Sequence, residues 1–435
     1  MPFHASASSA ALLALSLLAQ PASPPPIRPD VQLTHPAPPP EAGDPVTFDE
    51  ALGLAVQAPA VAGAQAAVKE QARAADAVSS LVANPTLNVQ PGTARDPLDG
   101  QWAYMGETTL LQGWNLSGLP GDRKAALRAE GAQLAAEARA AALSHRLAAA
   151  QAWTELWAAQ ASLADAVEEA RLSRDFSDRM ARAAAAEAFT RAEAADAATY
   201  AAEARVAALA AEGEVVDRGF QLAVAMGRPA EKPLVAAGPL PRPPSPPRKT
   251  WPDWVAAAGK LPSVAALRLS SDAARARDVE ARSTKGWGLE TGVKGTRDYL
   301  GTWGVQAVLQ VSIPLFDRGE REAAPQAALS ARADGEHREA AAVAASELAR
   351  ALHEVEHTGE VLEAIERDLV PAAEENARAR RASLQAGETT VLEMLVANRV
   401  AAAARQRRNR AQAAHAWARV KVQLLLADVS QGGVQ

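Results

Sequence analysis

Apolar and polar residues alternate along short stretches in each half of the chain. The clearest stretch runs from Gly304 to Ile313, where nearly every second residue is apolar. This period of two predicts a β-strand with two unlike faces, because successive side chains of a strand point to opposite sides. One face of this strand collects the apolar residues Val305, Ala307, Leu309, Val311 and Ile313.

The alternating stretches predict one hairpin in each half. Gly286 to Val293 alternates as well, which predicts a hairpin over about 286–313, and a weaker pattern predicts another over about 84–111. Strands of about 8 to 10 residues with one apolar face are typical of transmembrane barrels, so we expect that face to contact lipid. Soluble hairpins packed on helices are the alternative. Aromatic residues suited to the membrane boundaries are Trp102, Tyr104, Trp287, Tyr299 and Trp303.

Most of the remaining chain is rich in good helix formers, with Ala, Glu, Arg, Gln and Leu dominant. One long helix is predicted from about Asp122 to Ala185, and another from about Glu320 to Leu384, interrupted by Pro325 and Pro371. We expect Pro371 to kink its helix. Either stretch spans roughly 95 Å at ~1.5 Å per residue. Helices of this length are predicted to pack side by side as a coiled coil or a helical tube.

The two halves follow one plan of short helices, hairpin, very long helix, turn and long helix. Pro59–Val61 and Pro262–Val264 each begin a helical stretch, at an offset of 203 residues. We pair Glu187 with Glu388, at an offset of 201. A nearly constant offset indicates a duplicated unit.

The ends and the middle of the chain give its organisation. An apolar run over 10–19 is too short to span a bilayer, and it is followed by small residues, which is typical of a signal peptide. A disordered tail is the alternative. The sequence predicts a signal peptide over 1–22, a Pro-rich segment over 23–45, a first repeat over 46–230, a Pro-rich linker over 231–250, a second repeat over 251–428 and a C-terminal tail over 429–435.

The composition of the chain excludes several kinds of functional site. The chain has no cysteine, which excludes disulfides, thiolate metal sites and a cysteine nucleophile. Its net charge of −6 gives no reason to expect nucleic acid. Beyond the N-terminal run, no segment has the ~18 to 20 uninterrupted apolar residues of a membrane helix, so a membrane-embedded chain must use strands. Four strands cannot close a membrane barrel of about eight or more, so we expect a dimer or a trimer.

One motif suggests an enzyme. His353 to His357 reads H-E-x-x-H, in which two histidines on one helix face can hold zinc while Glu354 acts as a general base. The sequence offers no clear third ligand, and a polar patch facing water is the alternative. We therefore predict no catalytic residue, no metal site and no cofactor.

Three stretches and the duplication together resemble the TolC family of outer-membrane efflux proteins. They are Val46 to Val68, Val308 to Ala324 and Leu369 to Arg405. The resemblance implies a mainly α fold in the outer membrane, with long antiparallel helices forming a periplasmic α-barrel. It implies a homotrimer with four strands per chain in a shared twelve-stranded transmembrane β-barrel. It also implies a passive channel that docks to a periplasmic adaptor and an inner-membrane pump. A soluble periplasmic coiled-coil scaffold or adaptor is the alternative.

The resemblance also implies functional residues at the far end of the helices. Glu393 matches an acidic position at the periplasmic gate, where a carboxylate ring would select cations; a solvated helix residue is the alternative. The first half lacks the glycine of the tip turn, so we expect that turn to differ in shape or to bind the adaptor less well. The adaptor-docking positions are Gly387, Glu388, Thr389, Thr390, Val391 and Leu392, with Glu187 and Phe189 in the first half. The exported substrate stays open among metal ions, drugs and proteins.

Overall fold

The chain was analysed as a computed structural model, which describes residues 43–78, 84–95, 100–247, 250–298, 300–313, 315–316 and 318–431. The predicted signal peptide over 1–22, most of the Pro-rich segment over 23–45 and Tyr299 lie outside the described residues. The first half has the predicted order of elements. They are β1 (Pro45–Thr47), α1 (Phe48–Ala55), α2 (Pro59–Ala77), β2 (Thr86–Arg95), β3 (Trp102–Asn115), α3 (Leu119–Ala185) and α4 (Arg191–Ala225).

The second half repeats this order after a short strand in the linker. Its last helix continues to Gln431, so the predicted tail from 429 begins within a helix. The elements are β4 (Val235–Ala237), α5 (Trp251–Ala258), α6 (Pro262–Ser283), β5 (Gly288–Arg297), β6 (Trp303–Ser312), α7 (Glu320–Ala364), α8 (Val370–Gln385) and α9 (Val391–Gln431).

Equivalent caps stand at equivalent places in the two halves. Thr47 and Thr250 precede α1 and α5 with the same capping box, at an offset of 203 residues. Thr190 and Thr390 precede α4 and α9 at an offset of 200. The offset changes by only three residues across the repeat, which supports the predicted duplication.

The predicted interruption at Pro371 is present. A π-helical segment, Ile365–Leu369, separates α7 from α8, and this proline is the second residue of α8. Proline has no N–H to donate and its ring crowds the carbonyl four residues earlier, so the helix widens there. Pro325 lies near the start of α7 and is accommodated without a break. Within the described residues, no single helix is long and apolar enough to cross a membrane, and only α1 with α2, bent by 43°, reaches that length and composition as a pair.

The two hairpins form one antiparallel sheet in the order β2-β3-β5-β6. The halves meet at β3 and β5, where Leu110 lies opposite Val293. All three pairings run without a skipped residue, so directly opposed side chains share a face across the whole sheet. Within the described part of the chain, β2 and β6 each have one edge without a partner strand.

A network of charged side chains joins the halves at the end of the helices nearest the sheet. Arg277 on α6 donates to both Glu130 oxygens on α3, at 2.5 and 2.7 Å, and to Glu280 at 2.5 Å. Arg123 on α3 donates to the other Glu280 oxygen at 2.8 Å. Burial opposes ionisation of Glu280, yet the hydrogen bonds from Arg123 and Arg277 outweigh it and lower its pKa. Breaking this network would leave an unpaired buried charge.

The extended linker is held against the middle of α3. β1 and β4 pair as a two-stranded parallel sheet. The buried Trp153 ring donates from Nε1 to the Val46 carbonyl at 2.8 Å, and Gln160 accepts from the Ala236 N–H at 2.9 Å. The close approach of the linker to α4 requires Gly219, since a Cβ there would lie 2.6 Å from the Leu234 carbonyl oxygen.

Two glycines of α4 test this contact. Gly219→Ala should destabilise the protein by about 1–3 kcal/mol, because the added methyl collides with linker backbone. Gly213→Ala places its methyl in open space and should instead stabilise the helix by about 0.5–1 kcal/mol. Thermal unfolding of the purified variants, followed by far-UV circular dichroism, measures both. A shift of the same sign in both would contradict the described packing of the linker on α4.

Candidate functional site

The two helical hairpins end in turns of the same backbone shape. In the first turn the Ala188 N–H donates to the Ala183 carbonyl at 2.9 Å, and in the second the Glu388 N–H donates to the Ser383 carbonyl at 2.9 Å. This bond is characteristic of a Schellman motif, which needs a left-handed residue just before its last amide. Gly387 supplies it with φ 74°.

Glu187 occupies the same left-handed position in the first turn, with φ 60°. The expectation that this turn differs in shape is therefore wrong, and so is the pairing of Glu187 with Glu388, since Glu187 is equivalent to Gly387. A side chain in this conformation costs about 1–2 kcal/mol. The hydrogen bonds of the turn and the packing beneath it hold Glu187 there, which sequence propensity did not reveal.

Glu393 caps its own helix. Its carboxylate accepts from the Thr390 N–H at 3.3 Å and from the Thr389 hydroxyl, while the Glu393 N–H donates to the Thr390 hydroxyl at 3.3 Å. The Thr389 hydrogen bond, then the Thr390 amide and the nearby Arg380 charge hold the pKa of Glu393 below its usual value. The side chain is still 52% exposed. Capping and a role in the predicted gate are therefore sterically compatible.

The first half builds the same cap without any proposed gate. Glu193 accepts from the Thr190 N–H at 2.9 Å and from its hydroxyl at 2.8 Å. These two hydrogen bonds, the backbone one foremost, lower the pKa of Glu193. The presence of an acidic residue at both positions is thus explained by helix capping alone.

The predicted docking residues divide into exposed and buried ones. Glu187, Gly387, Glu388, Thr390 and Leu392 are exposed. Thr389 is half-buried. Val391 is fully buried and Phe189 partly so, and both pack in a cluster that joins the two hairpins. Val391 therefore supports the tip from inside and does not offer a contact surface. The other buried members of this cluster are Met180, Ala197, Tyr200, Met394 and Leu395.

Polar links between distant parts of the chain lie above this cluster. The Tyr200 hydroxyl donates to Glu169, and Arg405 approaches the same carboxylate at 3.3 Å. Burial raises the pKa of Tyr200, and the Glu169 hydrogen bond raises it further. Arg399 pairs with Glu203 and lies over the Tyr200 ring at 5.4 Å. Sequence reasoning missed these links, because partners more than 30 residues apart leave no local pattern.

One face of the sheet is mostly apolar on all four strands. The predicted lipid-facing residues of β6 are exposed in the single chain, with Val305 at 79% and Leu309 at 70%. Ala307 and Val311 are exposed on the same face, and Ile313 lies exposed just past the strand. The register adds to this face Leu87, Val89, Trp102, Tyr104, Leu110, Trp114, Leu289 and Val293.

The opposite face is mostly polar. Glu107 and Lys294 form an ion pair across β3 and β5 at 2.6 Å. Gln90 lies opposite Glu107, and Gln306 lies opposite Lys294. Two unlike faces that span four strands are what a sheet with lipid on one side and water on the other requires.

Aromatic residues mark both ends of the apolar face. Trp102 is the first residue of β3 and Trp114 is its second-last. The two lie twelve residues apart on one face of the strand. They lie about 40 Å apart along the strand at ~3.3 Å per residue. With a strand tilt of about 40°, that becomes roughly 30 Å of height, close to an apolar band of about 25 Å with its flanking aromatics. Sequence reasoning missed Trp114, because its strand alternates poorly.

The H-E-x-x-H motif lies on the surface of α7. The His353 and His357 rings stack with centroids 6.0 Å apart, and Glu354 pairs with Lys421 at 3.3 Å. Throughout the described ranges, no group of three or more His, Cys, Asp or Glu side chains is placed to hold a metal ion. The geometry therefore gives the hydrolase alternative no third ligand.

No protein-family model matches this sequence, and no curated protein matches it either. Solved structures do match. CusC, described for conformational changes that accompany folding and transmembrane channel formation, has a TM-score of 0.72 and 17% identity over 87% of this chain and 91% of its own. The outer-membrane channel MtrE of Neisseria gonorrhoeae, in its open state, has a TM-score of 0.69 and 16% identity over 87% of this chain and 88% of its own. The outer membrane protein VceC of Vibrio cholerae has a TM-score of 0.64 and 20% identity over 89% of this chain and 97% of its own.

These likenesses cover nearly the whole length of each protein and place the chain in the same fold as outer-membrane channels. The predicted fold class, mainly α with long helices and a β part, is confirmed.

The shared turn geometry gives a matched set of variants. Glu187→Gly should stabilise the protein by about 0.5–1 kcal/mol, since glycine adopts the left-handed conformation without steric cost. Gly387→Ala should destabilise it by about 1 kcal/mol, because no atom lies near the new Cβ and only backbone strain changes. Glu187→Ala keeps the strain and serves as the control, with little change expected. Melting temperatures of the three variants measure this, and a destabilising Glu187→Gly would contradict the assignment.

Proposed function

We propose that this protein is an outer-membrane channel of a tripartite efflux or secretion system, a passive trimeric conduit without catalytic residues. One observation carries the proposal: a mostly apolar face extends across a four-stranded sheet whose two edges lack partner strands within the described residues. Such a sheet is unfinished as a monomer, and it belongs to a fold found in outer-membrane channels.

The open edges support assembly of several chains. An unpaired edge in lipid leaves backbone N–H and C=O groups without partners, which costs several kcal/mol per group. Pairing β6 of one chain with β2 of the next removes every edge once the ring closes. Three chains give the twelve strands that the family resemblance implies. Exposed apolar side chains on α4 and α9 supply further surface for neighbouring chains: Val206, Leu209, Leu392, Val396 and Val400.

The long helices set the reach of the conduit. α3 has 67 residues and is roughly 100 Å long. Its first residue follows the sheet and its last precedes the tip turn, so sheet and tip lie at opposite ends. With the sheet in the outer membrane, the helices extend into the periplasm as an α-barrel. The exposed tip residues then face a periplasmic adaptor, which couples the conduit to an inner-membrane pump.

Neighbouring residues on β6 test the membrane assignment. Leu309→Arg places a charge on the apolar face and should cost about 2–4 kcal/mol at the bilayer midplane, which prevents assembly in the membrane. Gln310→Arg adds the same charge to the opposite, polar face and should be tolerated. Detergent extraction of the outer-membrane fraction, followed by mass measurement of the purified particle, should give a trimer for the wild type and Gln310→Arg only.

The soluble alternative gives the opposite result. A periplasmic scaffold or adaptor would be found as a soluble monomer or dimer and would tolerate both substitutions equally. That outcome would overturn the channel proposal.

The gate is tested by a pair of variants that share one structural role. Glu393→Gln and Glu193→Gln weaken equivalent capping boxes and should lower the melting temperature to a similar extent. If three Glu393 carboxylates line the entrance, only Glu393→Gln should reduce the preference for K⁺ over Cl⁻ in planar bilayers. Equal selectivity of the two variants and the wild type would leave Glu393 with its capping role alone.

A further inference from the structure

Two arginines interrupt the apolar face of the sheet. Among the described strand residues of that face, Arg95 and Arg297 are the only charged ones. Each is the last residue of the first strand of its hairpin and lies opposite a tryptophan, Trp102 or Trp303. Both therefore lie at the loop end of the sheet, away from the helices and next to aromatic side chains.

The Arg297 guanidinium is held in place but incompletely bonded. Its central carbon lies 5.9 Å from the Tyr104 ring centroid and 5.7 Å from that of Trp303. Its Nε is buried and has no hydrogen-bond partner. Arg95 donates from Nε to the Gly100 carbonyl at 2.7 Å. Within the described residues neither arginine has a carboxylate partner, so each can still donate N–H groups to an anion.

The two hairpins have the same residue at these positions, although most of their other residues differ. β2 reads TLNVQPGTAR and β5 reads GLETGVKGTR, and the aligned strands share only Leu87 with Leu289 and Arg95 with Arg297. The leucines are explained by the apolar face. Each arginine lies opposite a tryptophan, but their side-chain contacts differ, since Arg297 lies over the Trp303 ring and Arg95 donates to the Gly100 carbonyl. A common external partner accounts better for their agreement.

We propose that Arg95 and Arg297 bind the phosphate groups of lipid headgroups in the leaflet at the loop end of the sheet. This inference rests on the proposed function, since it requires the sheet to lie in a membrane. The planar guanidinium fork matches phosphate oxygens two at a time. The adjoining apolar face takes the acyl chains, which favours a lipid over a free anion. Each chain then carries two such sites and a trimer carries six.

Native mass spectrometry of the detergent-purified protein tests the proposal. The lipid probes are dioleoyl phosphatidic acid and dioleoylglycerol, which share acyl chains and differ by the phosphate. The wild type should bind phosphatidic acid about tenfold more tightly than dioleoylglycerol, as expected for charge-assisted hydrogen bonds. The double variant Arg95→Gln/Arg297→Gln should lose this preference. Lys294→Gln removes the same charge from the opposite face of β5 and should keep it.

A single variant covers the case in which the double variant does not assemble. Arg95→Gln alone changes an exposed side chain and should halve the number of tightly bound phosphatidic acid molecules per trimer. The proposal is overturned if the arginine variants bind as the wild type does. It is also overturned if Lys294→Gln loses as much preference, or if millimolar inorganic phosphate displaces the lipid.

Conductance separates this inference from the proposed function. If the wild type and the arginine variants all form conducting trimers but show no preference for phosphatidic acid, only the lipid site is wrong. If the wild type forms no membrane-embedded trimer, the channel and the lipid site both fail.

Discussion

The outer edges of β2 and β6 constrain the rest of this structure, because their backbone N–H and C=O groups need partners that the described part of the chain does not supply. In water such edges would invite uncontrolled pairing, and in lipid they would be intolerable. In the proposed trimer, closure by identical neighbours would satisfy them and fix the relation between chains at the sheet. The long helices that continue from the sheet would then pack around the same axis, so one constraint at the strands would organise the helices as well.

Alanine-rich packing allows the long helices to lie close together, but it also limits the apolar area that they bury. Many buried core residues are alanines, which bring helices close together but bury little apolar area each. The arrangement of the helices therefore depends strongly on larger buried side chains and on polar contacts between distant residues. Trp153 fixes β1, which pairs with the linker strand β4, to α3. Arg277 joins the halves near the sheet, and Tyr200 with its charged neighbours joins the hairpins near the tip.

Sequence patterns predicted the features that repeat at short range. The alternation of apolar and polar residues predicted the hairpins, and the composition predicted the long helices. Pro371 predicted the interruption between α7 and α8. The features that depend on distant contacts were not accessible. The left-handed Glu187 contradicts its own propensity, and Val391 is buried only because the other hairpin packs on it. The links of Tyr200 and Arg399 likewise join segments that no periodicity relates.

The duplication gives an internal comparison that separates structural from functional constraints. Where both halves carry the same residue, either the fold or a shared environment requires it. Glu193 and Glu393 agree, and a capping box explains both, so agreement there carries no information about a gate. Arg95 and Arg297 also agree, but only Arg297 is stacked between rings and neither has a carboxylate partner among the described residues. We therefore attribute their agreement to the environment that both hairpins enter, which under the proposed function is lipid.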